Sequence, residues 1–194
     1  MKTSQPAARS VWLRLAQVSS LALALLLGAG CSVVSVPRPV GEKPHVLVAA
    51  DWEGTWVMGK SIGKVKVVDA AAGRLQLVGL DDEDIKPRLV NHTVFITESG
   101  STLFASLRND EADAAAKPYV WARVRHEADQ VLAWWPDVER FCELVRAGKL
   151  PGKVDGSNAL LDHLTSAHLA ALVSGELGPV FDSDSPAVFR RVAR

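Results

Sequence analysis

Apolar and polar residues alternate in short runs between positions 45 and 135. Residues 64–67 are Lys-Val-Lys-Val, and residues 74–77 are Arg-Leu-Gln-Leu. Two further apolar runs flank a four-residue loop, Glu-Ser-Gly-Ser, at 98–101. Alternation with a period of two is typical of strands with one buried face, and a short loop containing glycine is typical of a hairpin. The pattern predicts six to eight strands at hairpin spacing, which favours an antiparallel meander or small barrel over a parallel sheet.

The period of the pattern changes after Pro136. Apolar residues then recur at 138, 141, 142 and 145, with charged residues between them. This spacing predicts a helix over 137–147, with Asp137 as its cap and Gly148 at its end. A second helix is predicted to begin at a Thr165 cap and to end at Gly175, with leucines at 164 and 169 placed for a hydrophobic staple.

The C-terminal residues 186–194 contain a Val-Phe pair and a further valine, and they predict a closing strand. The expected fold is therefore mainly β (α+β), an antiparallel meander or small barrel followed by two short C-terminal helices. One globular domain is expected over 45–194, since a chain of this length can bury a real core.

The first thirty residues have the layout of an exported protein. Three basic residues at 2, 9 and 14 precede an apolar run at 15–27, and small residues follow at 28–30. Ala29, Gly30 and Cys31 resemble the lipobox of the bacterial lipoprotein signal, which predicts a signal peptide over 1–30. Two alternatives stay open, a plain cleaved signal and a retained transmembrane helix across the uncharged residues 15–37.

The lipoprotein resemblance implies a diacylglyceryl thioether on Cys31 and an acylated new amino terminus. Two or more acyl chains anchor a protein stably where a single chain does not. Ser32 follows the cysteine, which in proteobacterial lipoproteins implies sorting to the outer membrane, and we expect the domain to face the periplasm. Residues 31–44 contain three prolines and no helix signal, and we interpret them as the lipidated cysteine and an extended tether.

The charge balance excludes one class of partner. Removing the three basic residues of the signal from the 22 in the chain leaves 19 against 22 acidic residues. No basic patch is visible, so nucleic acid is not an expected partner. Cys142 has no second cysteine to pair with once Cys31 is lipidated, and its place on the apolar helix stripe predicts a buried thiol.

The stretch GTWVMGKS at 54–61 satisfies the P-loop pattern G-x-x-x-x-G-K-[ST]. A P-loop needs a strand before it and a helix after it. Residues 45–50 could be that strand, but residues 62–68 are rich in β-branched residues with a period of two, which predicts a second strand in place of the helix. No nucleotide is therefore expected as a partner.

The same residues carry a second resemblance. Trp52-Glu53-Gly54-Thr55-Trp56-Val57 resembles the G-x-W signature on the first strand of lipocalins and related calycin barrels. That resemblance implies that Trp56 closes the barrel floor beneath an arginine from a late strand, here Arg190 or Arg191. The alternation of a strand places Trp56 and Met58 inward.

Two adjacent tryptophans, Trp134 and Trp135, end the last predicted strand of this region. In a strand they face opposite sides, so we expect one in the core and the other at a cavity or a surface. We take both, with Trp56, Met58 and the two arginines, as structural or ligand-cavity candidates.

The sequence contains no recognisable catalytic or metal-binding set. The acidic cluster at 81–84 is interpreted as a solvated turn, and the five histidines lack the spacing of a zinc site. We expect no enzyme, no cofactor and no metal. The predicted function is a lipid-anchored, β-rich binding domain for a small apolar ligand; the alternative is a structural or accessory interaction subunit of the cell envelope without catalytic activity.

Overall fold

Eight antiparallel strands close into a barrel in the computed structural model of this chain, which describes residues 32–81, 88–109, 118–182 and 186–193. The predicted signal peptide, Cys31 and residues 82–84 of the acidic cluster lie outside the described residues. The strands are β1 (Val34–Val36), β2 (Lys43–Pro44), β3 (Gly54–Met58), β4 (Ser61–Asp69), β5 (Arg74–Asp81), β6 (Arg88–Ser99), β7 (Thr102–Asn109), β8 (Tyr119–Glu127), β9 (Gln130–Trp134), β10 (Gly152–Asp155), β11 (Asn158–Leu161) and β12 (Ala187–Ala193). The helices are α1 (Ala49–Trp52), α2 (Val138–Arg146) and α3 (Ser166–Ser174).

The barrel runs in the order β3-β4-β5-β6-β7-β8-β9-β12 and returns to β3. Strands β3 to β9 follow one another as antiparallel neighbours, and β12 comes back from the end of the chain to pair with both β9 and β3. We call the end with the β8–β9 turn at Ala128 and Asp129 the floor, and the end with the β3–β4 turn at Gly59 and Lys60 the rim. The predicted mainly β fold and the predicted closing strand are confirmed.

A second layer covers the outside of β7 and β8. The first half of β8 pairs with β1 and its second half with β9, so β1 leads the sheet away from the barrel towards β11 and β10. Trp121 is fully buried in this outer layer and meets the edges of Phe104, Phe141 and Phe181 at ring-centroid distances of 5.9, 5.6 and 5.8 Å. The outer core is thus built on outward-facing aromatic residues of the barrel wall.

Both C-terminal helices begin where the sequence predicts. The Asp137 carboxylate accepts the backbone N–H of Arg140 at 3.0 Å, and the Thr165 hydroxyl caps α3 together with His168. Cys142 is buried on the inner side of α2, as predicted from its place on the apolar stripe. Among the described residues, no helix has the length and apolarity needed to cross a membrane.

The predicted extended tether is wrong for the residues that the structure describes. Residues 34–36 form β1, which pairs with β8 and β11 and is buried at all three positions, and Val40 is buried as well. The Val40 carbonyl accepts the Thr97 hydroxyl, and β2 pairs with β6. A strand covered on both faces shows no alternation, so the sequence pattern gave no strand signal here. The compact unit starts at Val33 rather than at residue 45.

The interpretation of residues 45–50 as a strand is also wrong. Residues 45–48 belong to no strand, and α1 begins at Ala49. The short hairpin of β10 and β11 was not predicted at all. Its four-residue strands are too short to show a clear period.

The packing of α2 against the outer core generates the first prediction. Phe141 has no exposed surface, so Phe141→Ala should lower the free energy of unfolding by about 3–5 kcal/mol. Denaturant unfolding of the full-length chain measures the loss. Glu139→Ala on the exposed side of the same helix is the control and should cost under about 0.5 kcal/mol. Equal losses for the two variants would contradict the assigned helix face.

Candidate functional site

The inside of the barrel is only partly filled and encloses a cavity of about 330 Å³. Its lining is aliphatic, aromatic, methionine or glycine at every position except Ser61 and His92. The lining residues are Trp52, Trp56, Met58, Ser61, Ile62, Gly63, Val65, Leu75, Leu77, Gly79, Leu80, Val90, His92, Val94, Ile96, Ala105, Leu107, Ala122, Val124, Val131, Ala133, Trp135 and Phe189. The volume falls in the range of small-molecule sites.

Small inward-facing residues on three neighbouring strands account for much of this space. Ala105 on β7 lies opposite Ala122 on β8, and Ala133 on β9 follows around the wall. Each alanine occupies a position that a leucine or phenylalanine fills in a packed barrel core. The alternation of the strands fixes the inward direction of all three methyl groups.

The floor of the barrel is closed by α1 and two tryptophans. The indole N–H of Trp56 donates to the Trp52 carbonyl at 3.0 Å, and the Trp52 ring stacks on His126 at 4.8 Å. Gly54 precedes Trp56 with φ 142°, a backbone conformation that side chains rarely tolerate. The chain can therefore turn from α1 directly into β3, which brings both rings under the cavity.

Arg191 on β12 holds this floor together. Its guanidinium carbon lies 5.3 Å from the centroid of the Trp56 ring, so the predicted stacking of Arg190 or Arg191 on Trp56 is confirmed for Arg191. The same guanidinium donates to the carbonyls of Ala50, Asp51, Glu53 and Ala128 and pairs with the Asp129 carboxylate at 2.7 Å. Arg190 is exposed and does not line the cavity.

The opposite end of the cavity reaches the rim. Met58 and Trp135 line it there, and Trp135 is more than a third exposed. Ile62 and Leu80 border the opening, at strand positions that alternate with the inward-facing Gly63 and Gly79. Near the rim Gly79 faces β4 closely, because a Cβ at this position would lie 2.5 Å from the Ile62 carbonyl oxygen. The cavity is thus closed by Trp52 and Trp56 at one end and bordered by partly exposed apolar side chains at the other.

The structure separates the candidate residues into two groups. Trp56, Met58 and Trp135 line the cavity, whereas Trp134 faces outward. The Trp134 ring lies beneath the guanidinium of Arg123 at 4.8 Å, and burial of that guanidinium lowers the pKa of Arg123. The expected opposite orientation of the two adjacent tryptophans is therefore observed.

The most polar residue of the lining is not among the site residues predicted from the sequence. His92 lies between inward-facing Val90 and Val94 on β6, and its Nδ1 atom is buried without a hydrogen-bond partner among the described residues. Its position in the alternating run was a usable signal, because the run predicts an inward side chain at 92. A histidine at one inward position of an otherwise apolar strand was overlooked.

The segment 54–61 is a β-hairpin. Met58 pairs with Ser61 across the turn at Gly59 and Lys60, and β4 follows where a P-loop requires a helix. Lys60 is exposed in that turn, as the strand interpretation predicts. In the described parts of the chain, no three His, Cys, Asp or Glu side chains are grouped so that they could hold a metal ion.

No protein-family model, no curated protein and no solved structure matches this chain. The class that the fold and the site define is an eight-stranded antiparallel barrel with an apolar internal cavity.

The contacts of Arg191 generate the second prediction. Arg191→Lys should lower the free energy of unfolding by about 1–3 kcal/mol, because an ammonium cannot reach several carbonyls and stack on Trp56 at once. Thermal and denaturant unfolding measure the change. Arg190→Lys, at the exposed neighbouring position, is the control and should be almost neutral. A lysine tolerated equally at both positions would show that the guanidinium contacts do not stabilise the floor.

Proposed function

We propose that this chain is a lipid-anchored binding protein whose barrel holds a small apolar ligand. The observation that carries the proposal is the apolar cavity of about 330 Å³ inside the barrel. A barrel that served only as a structural scaffold would gain stability by filling this space with larger side chains. The cavity instead stays open to the rim. All but two of its lining side chains are apolar and offer no hydrogen bond to a guest.

The size of the cavity bounds the size of the ligand. A volume of about 330 Å³ holds roughly eleven heavy atoms, if each occupies about the 30 Å³ of a water molecule in the liquid. That number corresponds to one medium-length alkyl chain or a two-ring aromatic compound. An apolar cavity of this kind does not retain water well and takes up apolar guests instead.

The floor supports a relationship to the calycin barrels. Gly54 and Trp56 on β3 and Arg191 from the last strand match the arrangement that the G-x-W resemblance implies. Eight-stranded barrels such as the lipocalins have an interior that can hold one small ligand. The same role for this chain is our proposal.

The position of the predicted lipid anchor limits the distance between the domain and the membrane. Cys31 lies only three positions before β1, whose side chains are buried in the sheet. A lipidated Cys31 would therefore hold the barrel close to the bilayer and not on a long tether. We place the protein at the outer membrane, facing the periplasm, where hydrophobic molecules must pass between membranes through water.

A second candidate function is an accessory subunit that docks a partner protein. It is favoured by a row of three apolar side chains near the rim, on the outside of the barrel. Ile62, Leu80 and Leu89 lie side by side on β4, β5 and β6, and Leu89 is 66% exposed. Such a row on one outer face of a barrel is compatible with a protein contact.

Filling the cavity tests the binding proposal. The double substitution Ala122→Leu and Ala133→Leu places about six additional heavy atoms in space that the ligand would occupy. The full-length chain should bind 1-aminonaphthalene, a two-ring fluorophore, and the double variant should bind it at least tenfold more weakly. Energy transfer from tryptophan to the bound fluorophore measures the affinity.

Val78→Leu is the matched control, because this residue faces the outside of the same barrel. The control should bind the fluorophore as the unchanged chain does, and circular dichroism should show that all three proteins are folded. Equal affinity for the double variant and the control would place the fluorophore outside the cavity. Absence of saturable binding by the unchanged chain would remove the proposal and leave the accessory-subunit candidate.

The anchor is tested separately. Cys31→Ser should abolish incorporation of labelled palmitate and leave the precursor unprocessed, because the serine hydroxyl cannot form the thioether. Labelling in growing cells followed by electrophoresis measures both effects, and Cys142→Ser is the control that should keep the label. Equal labelling of the Cys31 variant and the unchanged chain would show that the lipid lies elsewhere.

A further inference from the structure

The polar atoms of the cavity are confined to one half of it. Ser61 lies at the start of β4 beside the rim, and His92 pairs with Leu77 on the rim side of β6. The floor half is lined by Trp52, Ile96 and other apolar side chains. His92 and Ile96 are four residues apart on one strand, about 13 Å along the barrel.

His92 is the only titratable side chain among the described lining residues. Its Nδ1 atom is buried and has no hydrogen-bond partner in the part of the chain that the structure describes. Buried polar atoms are almost always paired, so an unpaired one in a side chain that lines a cavity calls for a partner that the protein does not supply. The χ2 torsion of histidine is broad, so the ring can turn this nitrogen towards a guest.

We infer that the ligand is a single-chain amphiphile with a neutral hydroxyl head, bound by His92 near the rim with its tail towards the Trp52 and Trp56 floor. This inference rests on the proposed function. A hydroxyl both donates and accepts a hydrogen bond, so it can pair with either tautomer of the imidazole. The head is neutral because the remaining lining has no charge to balance an ion, whose burial is costly.

The volume of the cavity and the place of its polar side chains agree with this orientation. A chain of roughly eleven heavy atoms fills the volume, and its polar end then meets the polar half of the lining. The reverse orientation would bury the hydroxyl against Trp52 and Ile96 without a partner. His92 would also stay unpaired, so both groups would pay the cost of burial without a hydrogen bond.

The test compares two probes of equal size, decan-1-ol and undecane, against the full-length chain in lipid nanodiscs, with empty nanodiscs as the blank. Displacement of 1-aminonaphthalene measures both affinities. His92→Leu should lower the affinity for decan-1-ol by about tenfold, which is the effect of one hydrogen bond in an apolar site. The affinity for undecane should stay unchanged or rise. Comparing variants removes the different partitioning of the two probes.

Two further variants test whether the effect is specific to the polar group at position 92. His92→Asn retains a polar group near the Nδ1 position and should recover most of the lost affinity for decan-1-ol. Asn91→Leu changes the exposed neighbour on the outside of β6 and should alter neither affinity. A direct readout is the long-range ¹H–¹⁵N spectrum of the imidazoles, in which only the His92 nitrogens should shift when decan-1-ol is added, while undecane should leave the nitrogen shifts in place.

The outcomes separate this inference from the proposed function. Equal weakening of both probes by His92→Leu, or no weakening of either, would overturn the role of His92. Binding of 1-aminonaphthalene without binding of decan-1-ol would overturn the ligand class and leave the proposed function standing. Binding of none of the three compounds by the unchanged chain would overturn both.

Discussion

Closure of the barrel by its last strand is the constraint on which the rest of the structure depends. Strand β12 fills the gap between β9 and β3, although more than fifty residues of chain separate β9 from it. Arg191 fixes that return, because one guanidinium covers Trp56 and donates to the carbonyls of α1 and of the β8–β9 turn. Without β12 the barrel would have two open strand edges, and without Arg191 the floor would lose its side-chain link to that strand.

The barrel wall is supported from outside as well as from inside. Outward-facing Phe104 and Trp121 on β7 and β8 belong to the outer core with α2, while Ala105 and Ala122 on the same strands face the cavity. The large residues lie outside and the small ones inside. Backbone pairing and the outer core therefore hold the wall in place, and the interior does not have to be filled for the strands to stay together.

Most of the regular structure could be predicted from local patterns. Side chains in the barrel strands from β4 to β9 alternate in polarity because the two faces of the wall meet different surroundings. The two later helices begin at their own capping residues, Asp137 and Thr165. Residues 34–36 could not be found in this way, because β1 is buried on both faces and has no alternation. The three prolines of residues 31–44 and the lack of helix signals there favour the tether interpretation, but tertiary pairing of β1 with β8 and β11 overrides that local preference.

The sequence by itself determined the period of the strands, the inward face of Trp56 and Met58, the ends of the C-terminal helices and the closing strand, because each depends on residues close together along the chain. It also indicated an arginine on Trp56, through a short resemblance. Only the tertiary structure decided that Arg191 and not Arg190 makes this contact, that three alanines from separate strands leave a cavity, and that His92 is the polar residue within it. Empty space and an unpaired nitrogen are properties of residues brought together from distant strands, so no local pattern encodes them.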